Sequence, residues 1–138
     1  MVRLLYYTSR DDRRLKLLAH RLGRERRIVV ESCLDITSLE SSLRKSGNDL
    51  TLAVLLTTSH EELQEILALR PLLNDIPLIL ILPDRDKDTV AKGHILAPRF
   101  LTDLQNNYHE IYDVLSKMLE NYSYKRLHHS NGKYAFLK

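Results

Sequence analysis

The sequence predicts a single α/β domain built on a five-stranded parallel sheet with helices on both faces. Residues 52–56 and 78–82 are apolar at every position, as expected of strands that helices cover on both sides. Other apolar residues recur at helical spacing between such runs, which indicates amphipathic helices. The length of 138 residues, with 43% hydrophobic and 28% charged residues, suits one hydrophobic core.

Strands and helices alternate along the whole chain. The predicted strands are residues 2–7, 28–34, 50–56, 77–82 and 95–101, and Pro98 weakens the last of them. The predicted helices are residues 15–22, 39–43, 63–67, 86–92 and 104–122. The fourth helix is short, with about two turns before Gly93. Alternation with short connections predicts right-handed βαβ units and a doubly wound, flavodoxin-like sheet with strand order 2-1-3-4-5.

Four helix starts carry a shared capping pattern, in which a hydroxyl residue stands three positions before an acid or an amide. The pattern occurs at residues 9–12, 37–40, 59–62 and 102–105. The hydroxyl can accept from a free backbone N–H of the first helical turn. Each match follows an apolar run, so the pattern predicts strand-to-helix junctions.

The last helix sets the predicted domain limit, at residues 1–122. Residues 123–138 form a C-terminal extension, either a hairpin around Asn131-Gly132 or a disordered tail. No apolar run reaches the roughly 18–20 residues of a membrane span, and the first residues lack a signal-peptide pattern. The single cysteine, Cys33, excludes an intramolecular disulfide and favours the cytoplasm. We interpret Cys33 as a small core residue.

Charge is distributed unevenly, with net values of +6 for residues 1–27, −7 for residues 28–124 and +4 for residues 125–138. Five arginines form a candidate basic patch on or next to the first helix: Arg10, Arg13, Arg14, Arg21 and Arg24. A solvated helix face is the favoured interpretation. Nucleic-acid binding is a minor alternative, because no aromatic residues interleave the arginines.

The strand ends are rich in hydroxyl groups and poor in clustered carboxylates. Three further features are the five-fold β/α order, the length, and the segment Ala97-Pro98-Arg99-Phe100 before a long helix. Together with the strand ends, these features point to a known family. Residues 1–121 resemble a response-regulator receiver domain of the CheY-like kind. The resemblance rests on this overall pattern, and the functional motifs of the family are missing.

In that family an acidic pair ends the first strand, an Asp at the third strand accepts the phosphoryl group, a Ser or Thr ends the fourth strand, and a Lys precedes Pro at the fifth. The matching positions here are Tyr6, Tyr7, Val54 (Leu55 or Leu56 under a shift), Leu82 and Ala97. These side chains supply neither Mg²⁺ ligands nor a phosphoryl acceptor. The resemblance therefore implies a degenerate receiver, a pseudo-receiver that is not an enzyme, takes no cofactor or metal, and is not phosphorylated.

The last helix carries a wide stripe of large side chains: Tyr108, Tyr112, Leu115, Met118, Leu119 and Tyr122. Core packing explains about four of them, and a stripe this wide could also contact a partner. In receiver domains the fourth helix, fifth strand and fifth helix form the usual partner surface. The resemblance thus implies a protein partner or a homodimer at this surface. A short fourth helix would leave more of the fifth strand exposed.

Other functions have weaker sequence support. The runner-up is a regulator that binds a small molecule or nucleotide at the hydroxyl-rich strand ends. Residues 84–88 lack the glycine and glutamate of a calcium loop, and residues 7–10 lack the glycine of a flavin phosphate loop. Neither nucleotide-binding glycine motif occurs, and the histidines show no metal-ligand spacing.

Overall fold

The computed structural model describes residues 2–45 and 50–127, and the elements follow the predicted alternation. The strands are β1 (Val2–Thr8), β2 (Val29–Cys33), β3 (Leu50–Leu56), β4 (Leu78–Leu82) and β5 (Phe100–Asp103). The helices are α1 (Arg13–Arg26), α2 (Ile36–Arg44), α3 (His60–Ala68), α4 (Arg70–Leu73), α5 (Lys87–Ile95) and α6 (Tyr108–Leu127). The single turn α4 was not predicted, so the predicted fourth helix is α5.

The five strands form one parallel sheet in the order β2-β1-β3-β4-β5, which confirms the predicted topology. Tyr7 of β1 is in register with Cys33 of β2 and with Leu55 of β3. At the other side of the sheet, Leu82 of β4 is in register with Asp103 of β5. The carboxyl ends of all five strands therefore line one edge, where doubly wound folds place their sites.

Helices cover both faces of the sheet. On one face, helices α2 to α5 enclose a buried cluster that includes Leu5, Leu55 and Leu80 from the strands and Ile66 from α3. Helix α1 covers the opposite face with a buried stripe of leucines and an alanine. A methyl group added at Gly23 of α1 would lie 2.8 Å from the Val30 side chain, so glycine permits this close approach to β2.

The chain divides into two compact units, of which the second begins at Asn107. In this second unit, α6 begins at Tyr108, four residues later than the predicted start at 104. The Asn107 side chain accepts from the backbone N–H of His109 at 2.9 Å. The helix continues past the predicted limit at 122 to Leu127. The predicted hairpin turn lies outside the described residues, and the domain limit at 122 stays a prediction.

The capping prediction is right at one helix and wrong at three. Ser59 caps α3 as predicted, since its hydroxyl accepts from the backbone N–H of Glu62 at 3.1 Å. Helix α1 is capped by Asp12 and α2 by Asp35, because a nearby aspartate caps as well as a hydroxyl residue. The fourth predicted cap falls on the end of β5 and the loop after it.

The fifth strand was predicted too early in the chain, by five residues at its start and by two at its end. Ile95 is the last residue of α5 rather than the start of β5, and this helix continues through Gly93 instead of ending before it. Pro98 lies in the connection, where its missing N–H costs no sheet hydrogen bond. Among the described helices, none is long and apolar enough to cross a membrane.

Candidate functional site at the carboxyl edge of the sheet

The β1–β3 part of the carboxyl edge is closed by a buried pair of side chains. Tyr7, near the end of β1, is 1% exposed. Its phenol donates a hydrogen bond of 2.6 Å to Oε2 of Glu62, which lies in the first turn of α3. Glu62 is itself 8% exposed. The pair connects two elements that are 55 residues apart in sequence.

Further donors surround the Glu62 carboxylate. The backbone N–H of Thr58 donates to Oε1 at 2.8 Å, and the Thr58 hydroxyl lies 3.3 Å from the same atom. Burial by itself would raise the pKa of Glu62, but hydrogen bonds from Ser9, Tyr7 and Thr58 outweigh it and hold the pKa below its usual value. Burial, and next the Glu62 carboxylate, raise the pKa of Tyr7. The pair is thus an ionised carboxylate held by a neutral phenol.

Four of the five predicted pocket positions lie in β1, β3 and β4, in or next to this closed part of the edge. Tyr6, Tyr7, Val54 and Leu82 are all buried in the core. Tyr6 is in register with Val54 on neighbouring strands. These positions carry apolar or phenolic side chains, so they offer no carboxylate where the resemblance would place one.

The fifth position, Ala97, does not join them. It precedes β5 and has a left-handed backbone conformation with φ of 49°. It therefore lies toward the amino end of the strand, where it borders a polar cavity with Asn74 and Arg99. The prediction was wrong because it placed β5 too early. The residue that ends β5 is Asp103.

Asp103 is a buried acid that the sequence interpretation missed. It is 7% exposed, and its carboxylate pairs with the Arg85 guanidinium. The same carboxylate accepts from the backbone N–H of Gln105 at 2.9 Å. The acid is therefore satisfied in its buried position. The sequence did not indicate Asp103 as a strand-end acid because the predicted fifth strand ended at residue 101, before it.

A second polar cluster follows β3 and β4. His60 is the first residue of α3, and Asp84 and Asp86 lie in the loop between β4 and α5. The Nε2 atom of His60 lies 2.6 Å from Oδ2 of Asp84. The Thr89 hydroxyl lies 3.2 Å from the same nitrogen. Hydrogen bonds with Thr89, His60 and the backbone of Asp86 lower the pKa of Asp84 to about 2.

These three residues bring together one imidazole nitrogen and two carboxylate oxygens from separate parts of the chain. One ligand atom each from His60, Asp84 and Asp86 lies within 4.8 Å of the other two. The sequence shows no metal-ligand spacing among the histidines, and the fold brings one of them, His60, close to two aspartates. The histidine is 24 residues from Asp84, so no short spacing indicated the group. Each of them follows the end of one of two neighbouring strands, which could have indicated it.

A separate cleft of about 320 Å³ lies at the ends of β1 and β2. Its walls include Tyr6, Ser9, Arg10, Lys16 and Ser32. The hydroxyl-rich strand ends predicted from the sequence contribute to this cleft. Part of that hydroxyl set is used internally, since the Thr8 hydroxyl donates to the carbonyl oxygen of Arg10 at 2.7 Å.

The candidate basic patch is divided by the structure. Arg13, Arg14, Arg21 and Arg24 are exposed on α1, whereas Arg10 precedes the helix and lines the cleft. Leu17 is 60% exposed on the same helix.

Cys33 is a buried free thiol, and burial raises its pKa. Its interpretation as a core residue is therefore confirmed.

The candidate partner stripe on α6 is largely buried. Tyr108, Leu115, Met118 and Leu119 are buried, in agreement with the interpretation of about four of these side chains as packed in the interior. Tyr112 and Tyr122 are half-buried. The stripe was wide because α6 alternates buried and half-buried residues over many turns.

Solved structures share this fold at low sequence identity. The chemotaxis protein CheY4 of Vibrio cholerae matches with a TM-score of 0.62 and 13% identity, over 85% of this chain and 98% of that chain. A response regulator receiver protein from Pseudoalteromonas atlantica matches with a TM-score of 0.65 and 10% identity, over 86% and 98%. A CheY-like receiver domain protein from Methanospirillum hungatei matches with a TM-score of 0.59 and 10% identity, over 91% and 97%.

The chain therefore has the CheY-like receiver fold. No protein-family model matches its sequence, and no curated protein matches it significantly.

Proposed function

We propose that this protein is a non-enzymatic signalling module that acts through protein–protein contacts and without phosphorylation. The observation that carries the proposal is the buried Tyr7–Glu62 pair at the β1–β3 part of the carboxyl edge. In the family that the chain resembles, this part of the edge holds the Mg²⁺ ligands and the phosphoryl acceptor. Here it holds Tyr6, Tyr7 and Val54.

The chemistry of phosphoryl transfer supports this reasoning. The reaction needs Mg²⁺ or other cations to neutralise developing charge, and an oxygen nucleophile in line with the phosphorus. Glu62 is a carboxylate near the right strand ends, but it is buried and already accepts from Tyr7 and Thr58. An acceptor would have to give up these hydrogen bonds and become exposed, at a cost of about 1–3 kcal/mol for each buried group left unpaired.

The test is incubation with acetyl phosphate and Mg²⁺, followed by intact-mass measurement. A receiver domain that has the complete acid set, treated in the same way, is the positive control. We expect no phosphorylated form of this protein. Any phosphorylated form would contradict the proposal, and its absence from Asp84→Asn would assign the acceptor to the end of β4.

The surface we propose for partner contact includes the end of α5 and the edge strand β5. Ile95 is 46% exposed at the end of α5, and Phe100 and Leu101 are half-buried in β5. Exposed apolar side chains beside a sheet edge are typical of surfaces that bind other proteins. The partner is either a second copy of this chain or a different protein. We place this role in the cytoplasm, since a free buried thiol suits a reducing compartment.

Sedimentation velocity over a range of concentrations distinguishes the two partners. A dimer at this surface should dissociate in Ile95→Glu and persist in Leu17→Glu, which adds the same charge at an exposed leucine of α1. A monomer at every concentration would restrict the proposal to a different protein. A dimer that persists in Ile95→Glu would contradict the proposed surface.

A second candidate function is binding of a small molecule or nucleotide in the cleft beside β1 and β2. Ser9 and Ser32 supply hydroxyl groups to the cleft. Its lining also carries charges of both signs, from Arg10, Lys16, Asp11 and Asp12. Thermal-shift measurements against nucleotides test this candidate, because a ligand that binds the native state raises the melting temperature. The shift should disappear in Lys16→Ala and remain in Arg24→Ala. Equal shifts in both variants would exclude the cleft.

A further inference from the structure

The His60, Asp84 and Asp86 cluster has a chemistry that the proposed signalling function does not use. It lies at the carboxyl ends of β3 and β4, apart from the closed Tyr7–Glu62 pair. We propose that these three side chains form a binding site for a divalent transition-metal ion such as Zn²⁺ or Mn²⁺. The inference does not depend on the proposed function.

The donor set determines the class of metal. One imidazole nitrogen and two carboxylate oxygens suit Zn²⁺, Mn²⁺ and related ions. Mg²⁺ and Ca²⁺ prefer ligand sets made entirely of oxygen. Three protein ligands leave coordination positions for water. The site would thus differ in both position and metal from the Mg²⁺ site of the family that the chain resembles.

The distances fit this proposal. The three ligand atoms lie within 4.8 Å of one another, with His60 and Asp84 as close as 2.6 Å. Ligand atoms around Zn²⁺ lie roughly 3–3.4 Å apart, given bonds of about 2 Å. His60 and Asp86 are exposed, so changes of side-chain torsion are enough to close the remaining gap. The metal would replace the direct contact between His60 and Asp84.

Asp86 behaves as a ligand rather than as a helix cap. It stands at the N-cap position of α5, where aspartate is a favoured capping residue. Within the described residues, however, its side chain makes no capping hydrogen bond. Its carboxylate lies near the carboxylate of Asp84 and the imidazole of His60 instead. Two neighbouring carboxylates repel each other unless a cation lies between them.

Neighbouring groups contact the other two ligands in different ways. The backbone N–H of Asp86 donates to Oδ1 of Asp84 at 3.0 Å, which leaves Oδ2 directed to the histidine. The Thr89 hydroxyl belongs to a buried residue of α5 and lies 3.2 Å from Nε2 of His60. The backbone contact fixes the orientation of a metal ligand, as supporting contacts in metal sites do. The contact of Thr89 falls on Nε2 itself, so the ion would replace it together with the contact of Asp84.

The test is calorimetric titration of the full chain with Zn²⁺, together with Co²⁺ absorption as a second readout. The parent protein should carry His128→Gln and His129→Gln, because adjacent histidines in the tail bind metals by themselves. We expect one ion per chain. Adding His60→Gln or Asp86→Asn should weaken binding by at least about tenfold, since even supporting residues of metal sites contribute 10–100-fold.

Two matched controls make the result specific. His94→Gln removes a histidine outside the cluster, and Asp88→Asn removes an acid from the first turn of α5, so both should bind as the parent does. Excess Mg²⁺ should not displace the ion. The proposal would be overturned by a parent that binds no ion, by equal affinity in the cluster and control variants, or by displacement with Mg²⁺. Circular dichroism of each variant confirms that it is folded.

Discussion

The two halves of the carboxyl edge differ in burial and in charge. At β1 and β3 the edge is closed, with the Tyr7 phenol bound to a buried Glu62. At β4 and β5 it is open, with an exposed His60 beside Asp84 and the Arg85–Asp103 ion pair. The comparison shows that the first half is occupied by side chains that bind each other in the interior, whereas the second half includes exposed ionisable groups.

The largest expected effect comes from placing an acid in the closed half. Val54 is 1% exposed, so Val54→Asp would bury a carboxylate that has no partner. We expect a loss of more than about 3 kcal/mol in the free energy of unfolding, measured by urea denaturation with circular dichroism. Val54→Thr, which is similar in size and uncharged, should cost clearly less. Equal losses would mean that packing rather than charge excludes an acid.

The next effect comes from removing the buried pair itself. Glu62→Leu leaves the Tyr7 hydroxyl and the Thr58 N–H without this partner, and should cost about 2–4 kcal/mol. Tyr7→Phe leaves the carboxylate its Thr58 bond and should cost about 1–2 kcal/mol. The double variant should lose less than the sum of the two, with a coupling of about 0.5–3 kcal/mol. Strict additivity would show that the hydrogen bond does not stabilise the fold.

The same pair should respond to alkaline pH. Because burial and Glu62 raise the pKa of Tyr7, the native protein keeps a phenolic proton that the unfolded chain releases near pH 10. This contribution is complete below that pH and is lost as pH rises above it, by at most about 1.4 kcal/mol per pH unit. The free energy of unfolding of the wild type should therefore fall relative to that of Tyr7→Phe as pH rises above 10. A constant difference would contradict the assignment.

A smaller effect is expected at β5. Arg85 is exposed while its partner Asp103 is buried, so Arg85→Ala should lower the free energy of unfolding by at most about 1 kcal/mol. Asp103→Ala should cost more, because it also leaves the backbone N–H of Gln105 without its acceptor. The reverse order in urea denaturation would contradict this account of the open half.

The smallest effect is expected at His60. Its contact with Asp84 is exposed, and exposed ion pairs contribute little because water and salt screen them. His60→Gln should therefore leave the midpoint of urea unfolding unchanged in metal-free buffer. A clear destabilisation would mean that the open half also supports the fold, as the closed half does.

Particular residues show how far the sequence could be interpreted. Leu52 to Leu56 and Leu78 to Leu82 identified β3 and β4, since apolar runs of this length are typical of buried parallel strands. Asp12 and Asp35 cap helices that had been assigned to hydroxyl caps, because several residues near each junction could serve. Asp103 was missed since Pro98 interrupted the apolar run and displaced the fifth strand.

The sequence by itself determined the alternation of strands and helices, the parallel sheet and the non-acidic side chains at Tyr6, Tyr7 and Val54. These properties depend on local patterns and on the identity of single residues. Only the tertiary structure decided that Tyr7 binds Glu62 and that His60 meets two aspartates. Such contacts join residues distant in the chain, and they depend on strand register and on where each strand ends, which local patterns locate only to within a few residues.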